Sequence, residues 1–397
     1  MNPNRLILLL AFWACGSNGD GSSTTSVRDS AGIRIVENPA QTPTLAWYVD
    51  AQPSVDIGGM EADENHSVFR VFSVVRLSDE TIDVANGGTN EVRYYDHDGS
   101  FLRTVGGQGE GPGEFQNLNW LASFADDSIV TYDFRQLRFS VFTRDGVFVR
   151  SFRFVTNDAV AFAQVIGMYE DGSFLAQGFA DTGGEIPSGL RRYGAPLYQI
   201  SSEGQLFSEL GVFPGNEGYY KAFEGGFRPY NLLFPKMTYR VARGNDLIVA
   251  SNDTYELKLY TQDGTLKELI RRGGDPVPIS NNHLKVARDR MVENVPEERR
   301  RDLETTLLEM PVPEVFPAYN LVRADDVGNI WVQAYPIPGE QNDHWAVFSS
   351  EGVLLGDVSL PSGLDPKHIG TDFVAGVWRD DLNVEHVQLY GLVKGGQ

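Results

Sequence analysis

From Ile33 to the end of the chain, apolar positions come in short runs rich in Val, Ile, Phe and Tyr, each stopped by Asp, Asn or Gly. Runs of that length with that punctuation predict β-strands joined by tight turns. The runs also repeat. SDETIDVANGGTNEVRYYDHDGSFLRTV, from Ser78, and DDSIVTYDFRQLRFSVFTRDGVFVRSF, from Asp126, align without a gap from Ile82 and Ile129 through Gly99 and Gly146. The same order returns as GNDLIVASNDTYELKLYTQDGTLKELI from Gly244 and as VGNIWVQAYPIPGEQNDHWAVFSSEGVLLGDV from Val327. A looser copy starts at Glu170, its middle loop lengthened by TGGEIPSGLRRYGAP.

Each unit is a polar turn, a strand, a loop, a strand, an Asp-Gly type turn and another strand. The first turn occurs six times, at Ser78, Ala125, Tyr169, Arg243, Asp325 and Arg379, and the second five times, as DHDGS, TRDGV, SSEGQ, TQDGT and SSEGV. This predicts an all-β fold, a six-bladed β-propeller of four-stranded antiparallel blades spanning residues 32–397. The last unit ends before its second turn, so its outer strand has to come from the N-terminal side, because closure removes an exposed sheet edge. GIRIVENP, from Gly32, is expected to pair with the C-terminal strand containing Val387 to Leu392, and WYVDAQPSVDIGG, from Trp47, is also available.

One segment departs from the β pattern. Leu284, Ala287 and Met291 recur at helical spacing, as do Leu303, Leu307 and Met310 after Pro296, where proline suits the first helical position. A helical hairpin inserted over about 280–311 follows. Arg299 to Arg301 sit among Glu297, Glu298, Asp302 and Glu304, which reads as a solvated, ion-paired helix face rather than an anion clamp.

Composition sharpens the picture at the N-terminus. The 397 residues carry a formal net charge of −21, which repels nucleic acid and anionic headgroups and sets nucleic-acid binding aside. The only thiol is Cys15, so there is no disulfide framework and no cysteine-based metal site. It ends MNPNRLILLLAFWAC, where Arg5 precedes an apolar run, Leu6 to Ala14, too short to span a bilayer. This segment resembles a bacterial lipoprotein signal, in which a small residue precedes a cysteine that is acylated. Residues 1–15 are therefore expected to be a signal ending at Cys15 as the lipid attachment site, and 16–31, which open as GSNGDGSSTTS, a flexible tether. The expected location is the bacterial cell envelope, anchored by lipid to the outer membrane, with the domain in the periplasm or at the cell surface.

The repeated units, with their Gly-rich exit ending in Gly-Glu-Phe, resemble NHL-type propeller repeats. More closely, SAGIRIVENP, GEGPGEF, DTYELKLYTQDGTLKELIRR and EERRRDLETTLLEMPVPEVFPAY resemble the six-bladed, NHL/TolB-like β-propeller lipoproteins of the Gemmatimonas type. The resemblance implies the fold and export. It assigns no reaction, so no catalytic residue is carried over.

Local catalytic motifs are scarce. VGGQGEGPGEF, from Val105, fails as a phosphate loop: no register gives G-x-G-x-x-G, and Glu110 and Glu114 would repel phosphate. It is expected to link one blade to the next. The histidines, His66, His97, His283, His344, His368 and His386, lack zinc spacing, though residues of different blades can converge in a channel. No G-x-S-x-G occurs. Asp96 and Asp98 fit a hairpin turn better than a calcium loop. No cofactor is expected from any of these motifs. The favoured function is a membrane-anchored module binding a small-molecule ligand or a protein, and catalysis ranks second: the alternative is a metal-dependent hydrolase or lyase with a divalent cation in the channel. Capture of carbohydrate or peptide by Trp120, Tyr219, Tyr220 and Trp331 stands as a third class, although most such rings are core.

Overall fold

A computed structural model describes residues 24–155, 162–179, 186–340 and 343–395. Cys15 and the signal segment lie outside the described residues. Two strands come first, β1 (Ser26–Ser30) and β2 (Ile33–Asn38), followed by the short β3 (Trp47–Val49) and β4 (Val55–Gly58). The first repeated sheet is β5 (Val71–Arg76), β6 (Ile82–Asn86), β7 (Glu91–Tyr95) and β8 (Phe101–Gly106). The second is β9 (Leu118–Ser123), β10 (Ile129–Asp133), β11 (Arg138–Phe142) and β12 (Phe148–Arg153). The third has β13 (Ala163–Met168), β14 (Phe174–Gly178), a lengthened pair β15 (Gly189–Ile200) and β16 (Leu206–Phe223), and an extra strand β17 (Gly226–Tyr230). The fourth is β18 (Thr238–Arg243), β19 (Asp246–Ser251), β20 (Glu256–Thr261) and β21 (Leu266–Arg272). After the helices α1 (Asn281–Val292) and α2 (Glu297–Glu309) comes the fifth, β22 (Leu321–Ala324), β23 (Ile330–Gln333), β24 (His344–Phe348) and β25 (Leu354–Ser359). The last is β26 (Asp365–Ile369), β27 (Phe373–Arg379) and β28 (Glu385–Lys394), with β3 and β4 paired to β28.

Within each sheet neighbouring strands of the repeat are antiparallel, and the sheets stand side by side through their innermost strands. β5 packs on β9, β9 on β13, β13 on β18, β18 on β22, and β26 on β5. The core divides accordingly into wedges between successive sheets. Val130, Phe139, Phe174 and Ile200 fill the second-to-third wedge, and Ile248, Leu259, Ile330 and Phe348 the fourth-to-fifth. Val387 and Leu389 of the last sheet pack with Val74 and Ile82 of the first. This layout is that of a β-propeller.

The Asp-Gly and Glu-Gly turns explain why the units repeat in sequence. Gly99, Gly146, Gly204, Gly264 and Gly352 all hold φ between 76° and 84°, a left-handed conformation that only glycine takes without strain. Each also presses on the outer strand of the sheet before it: Gly146 on Val105, Gly264 on Leu210 and Gly352 on Ile270. A second repeated device ends the second strand of three sheets. Asn86 accepts from the Phe69 N–H, Asp133 from those of Gln116 and Asn117, and Asn252 from that of Met237, fixing the chain as it enters the innermost strand.

Three expectations change. Gly32 and GIRIVENP do not pair with the C-terminal strand: β2 adds in parallel to β21, the outer strand of the fourth sheet, and β1 adds to β2. The strands on β28 are instead β3 and β4, from the Trp47 segment. Both segments offer alternating apolar positions and free backbone groups, and what selects the edge is distant. Asn38 donates to Gly352 O and accepts from the Leu354 N–H, pinning β2 between the fourth and fifth sheets. Second, the turn at Arg379 joins β27 to β28, the second and third strands of its sheet, while the first turn there is Gly370 to Asp372. Asp380 accepts from the Leu382 and Val384 N–H groups, the same side-chain turn chemistry found at Asp325 and Asp171, so local sequence does not separate the two positions. Third, residues 26–30, placed in the tether by composition, form β1.

The helical insertion occurs as expected, with Pro296 at the N-cap of α2 rather than its first turn. Ser280 caps α1, its side chain accepting from the His283 N–H while His283 Nδ1 accepts from the Ser280 N–H. Both apolar stripes, including Leu284, Ala287, Leu303 and Leu307, pack on Tyr219, Phe234, Phe316 and Tyr335.

Candidate functional site

The innermost strands carry the residues that the repeat itself does not require. Ser73 on β5, Trp120 on β9, Gly167 and Met168 on β13, and Lys367 and His368 on β26 line a cavity of about 290 Å³. Four sheets thus contribute to one site, the convergence that a propeller achieves without any contiguous motif. Trp120 stands edge-on to Phe174, with ring centroids 6.0 Å apart, which fixes its plane at the wall.

His368 is held on both sides. Its Nδ1 accepts from the Arg76 N–H at 3.0 Å, which leaves the proton on Nε2, and that N–H donates to Asp326 at 3.0 Å. The ring meets Phe373 edge-on at 4.9 Å. With both nitrogens given to protein partners, His368 joins the last sheet to the first and fifth and is not placed to act as a free base or ligand.

Lys367 and Arg323 share one carboxylate. Asp365 Oδ2 accepts from Lys367 Nζ at 2.8 Å and Asp365 Oδ1 from Arg323 at 3.1 Å. Burial opposes ionisation of Asp365, yet Lys367 first and Arg323 next hold its carboxyl below the usual range. Arg240, on β18, donates to the carbonyls of Thr238 and Pro214, and among the described residues it makes no ion pair. Burial, aided by the neighbouring Arg192, pulls its guanidinium down to about 10.

The other sequence candidates are placed elsewhere. His66 pairs with Asp63, His386 with Asp56, His344 with Ser359 and His97 with Asp98. Among the described residues no group of three or more His, Cys, Asp or Glu is placed to hold a metal ion. Asp96 accepts from the Asp98 and Ser100 N–H groups as a turn residue. A larger depression of about 500 Å³ is lined by Asp56, Glu61, Asp63 and His66, but it is formed by one stretch of chain, from β4 to the loop after it. Trp331 and Tyr219 are core residues. Arg300 pairs with Glu297 on an exposed helix face.

VGGQGEGPGEF links β8 to β9, as expected, and its glycines serve a buried arginine. Arg138 donates to the carbonyls of Glu110, Gly111 and Glu114, so the loop must fold tightly enough to turn all three inward. In the first sheet Arg93 gathers the carbonyls of Glu64, Asn65 and Ser67 in the same manner. Trp120 and His368 were candidates from the sequence, as an exposed aromatic and as a histidine able to reach a channel, but Ser73, Met168 and Lys367 were not, because the lining comes from four separate strands. The signal that could have found Lys367 was the basic character of DPKHI, an innermost strand.

No protein-family model and no curated protein matches the chain. Solved structures are similar in fold. A member of the DUF4221 family from Bacteroides vulgatus is 10% identical with a TM-score of 0.50, the match covering 88% of this chain and 99% of that one. A putative exported protein from Bacteroides fragilis is 13% identical with a TM-score of 0.49 over 91% of this chain and all of its own. A streptogramin B lyase is 10% identical with a TM-score of 0.39 over 88% and 98%. No helix of the described residues is long and apolar enough to cross a membrane. At these identities the likeness shows a fold alone, and the chain's own sheets are those of a β-propeller.

Proposed function

We propose that this chain is an exported, lipid-anchored β-propeller of six blades that acts as a binding module, its ligand seated among the innermost strands. The six sheets are the blades, and β3 with β4 serves as the outer strand of the last. The wedge joining the last sheet to the first, with Val387 and Leu389 against Val74 and Ile82, supports closure. The signal-like segment ending at Cys15 supports export and acylation.

The observation that carries binding over catalysis is the state of His368. It is the histidine in the cavity wall, and both of its ring nitrogens are engaged by Arg76 and Asp326. A hydrolase or lyase site needs a base, nucleophile or metal ligand free to meet the substrate. Metal content decides between the two: protein purified without chelator is expected to carry less than stoichiometric divalent metal, and a tightly bound equivalent would restore the hydrolase or lyase reading. Intact mass of the membrane-extracted protein tests the anchor. It should correspond to a chain beginning at Cys15 with added acyl mass, and a chain retaining Met1 without acyl mass would remove the lipoprotein reading.

A further inference from the structure

The inward strands carry charge opposite in sign to the whole chain. β5, β18, β22 and β26 contribute Arg76, Arg240, Arg243, Arg323 and Lys367, whereas the only carboxylate on any innermost strand is Asp365. The chain as a whole stands at −21, so this bias is not inherited from composition. Because Lys367 and Arg323 both lean on Asp365, their cluster retains one uncompensated positive charge. Arg76 is answered by Glu80 and Asp372, and Arg243 by Asp246, so the excess is concentrated at Lys367 and Arg323 and at Arg240. Lys367 is also the Lys or Arg side chain that lines the cavity, together with the apolar Trp120 and Met168.

We propose that the cavity binds a small anionic ligand with a flat apolar body, its negative group on Lys367 and its ring system against Trp120. The inference rests on the binding reading above and adds the chemistry of the ligand. A cavity of about 290 Å³ lies at the small end of ligand pockets, which excludes a bulky macrocycle and suits one or two rings. An entering carboxylate balances the Lys367, Arg323 and Asp365 cluster, and it does so where water is partly excluded, so the charge contributes more than at the surface. His368 is already engaged, its Nε2–H given to Asp326, so it offers the ligand no free donor.

Equilibrium dialysis of the full-length protein against naphthoate and its neutral counterpart naphthamide tests the proposal. The expected result is a Kd on the order of tenfold lower for naphthoate, the worth of one charge-assisted contact. Lys367→Met should abolish the preference, and Trp120→Leu should weaken both probes alike. Lys367→Gln, which keeps a hydrogen-bond donor to Asp365, is the second variant, and melting curves matched to wild type show that each variant is folded. Equal retention of the two probes, a preference that survives both Lys367 variants, or retention of neither probe overturns the anionic ligand. These outcomes differ from failure of the binding reading itself, which is signalled by stoichiometric metal.

Discussion

Gly99 lies against Val55: a side chain on Gly99 would begin 2.7 Å from Val55 Cγ1. The contact repeats, between the first and last sheets, the one that Gly146 makes with Val105 and Gly352 with Ile270 between successive sheets. Val55 belongs to β4, whose partner is β28, so a strand from the N-terminal side borders the last sheet beyond β28. The geometry leaves no room for a Cβ, and φ at Gly99 is 84°. Gly99→Val should therefore destabilise the protein by about 2–4 kcal/mol, from left-handed backbone strain and overpacking together. Gly107, at φ 115° with nothing within 4 Å, separates the two causes. Gly107→Ala should cost about 1–2 kcal/mol from strain alone. Guanidinium unfolding of both variants measures the difference, and equal losses would remove the packing argument.

The two N-terminal strand pairs should differ in consequence. Ile57, on β4, is 1% exposed in the wedge shared by the last and first sheets, so Ile57→Ala should cost about 2–5 kcal/mol. Deleting the segment from Gly32 to Val36 removes β2 from the outer edge of the fourth sheet. That uncovers an edge and loses the Val36 contacts, but it leaves the pairing of β4 with β28 intact. A single cooperative melt at lower temperature is expected for the deletion, and a melt split into two transitions would show that β2 holds the sheets together.

How far the sequence spoke depended on whether a feature was local. The Asp-Gly and Glu-Gly turns were legible because each needs glycine at one fixed offset, and all five occupy the expected conformation. The helical stripes were legible for the same reason, and all six of their apolar residues pack together. The partner of Ile33 to Asn38 was not, because strand pairing is chosen by Asn38 meeting Gly352 and Leu354, over three hundred positions away. Nor was the cavity, since Trp120, Lys367 and Met168 are ordinary strand residues until the sheets are placed side by side.

Two aspartates should impose opposite pH dependences on stability. Asp83 is fully buried, and among the described residues neither carboxylate oxygen has a hydrogen-bond partner. Burial holds its carboxyl well above the usual range, so its stabilising protonated form is complete below the unfolded pKa, about 3.9, and is progressively lost as pH rises toward the folded value. Asp253 behaves the other way. Burial opposes its ionisation, but hydrogen bonds from Ser251, Arg192 and Lys236 hold it at about 2, so its contribution is present above about 3.9 and lost as pH falls through about 2. Asp83→Asn should raise stability at pH near 7 and flatten the slope above pH 4. Asp253→Asn should lower it at neutral pH and flatten the acid limb. Urea midpoints across pH test both, and a slope unchanged by Asp83→Asn would refute the first.

Arg138 should control the order of the glycine-rich link. Arg138→Met leaves the carbonyls of Glu110, Gly111 and Glu114 without their donor, at a cost of about 2–4 kcal/mol for a set of charge-assisted bonds. The loop at Glu110 and Glu114 should then open locally. A glutamate-specific protease is expected to cut there faster in the variant than in wild type, and unchanged cleavage would show that the glycines hold the loop unaided.

The insertion should prove dispensable for the sheets but not for solubility. α1 and α2 contribute no strand to any sheet, and their contact is with a separate apolar cluster built from Tyr219, Leu233, Phe234, Phe316 and Tyr335. Lys221, on the lengthened β16, and Tyr230, at the end of the extra strand β17, also reach α2, through Glu309 and Asp302 respectively. Replacing 280–311 with a short Gly/Ser linker therefore leaves every strand pair in place while uncovering that cluster, and an exposed contiguous apolar patch drives association. The expected product keeps its β signature by circular dichroism and a cooperative melt, yet binds a hydrophobic dye and self-associates in sedimentation. Leu307, 1% exposed at the centre of the cluster, gives the milder version. Leu307→Ala should cost about 2–5 kcal/mol if the helices melt together with the sheets, and almost nothing at the global transition if they open first. A linker variant that yields no folded protein at all would show that the helices are required for the sheets to assemble.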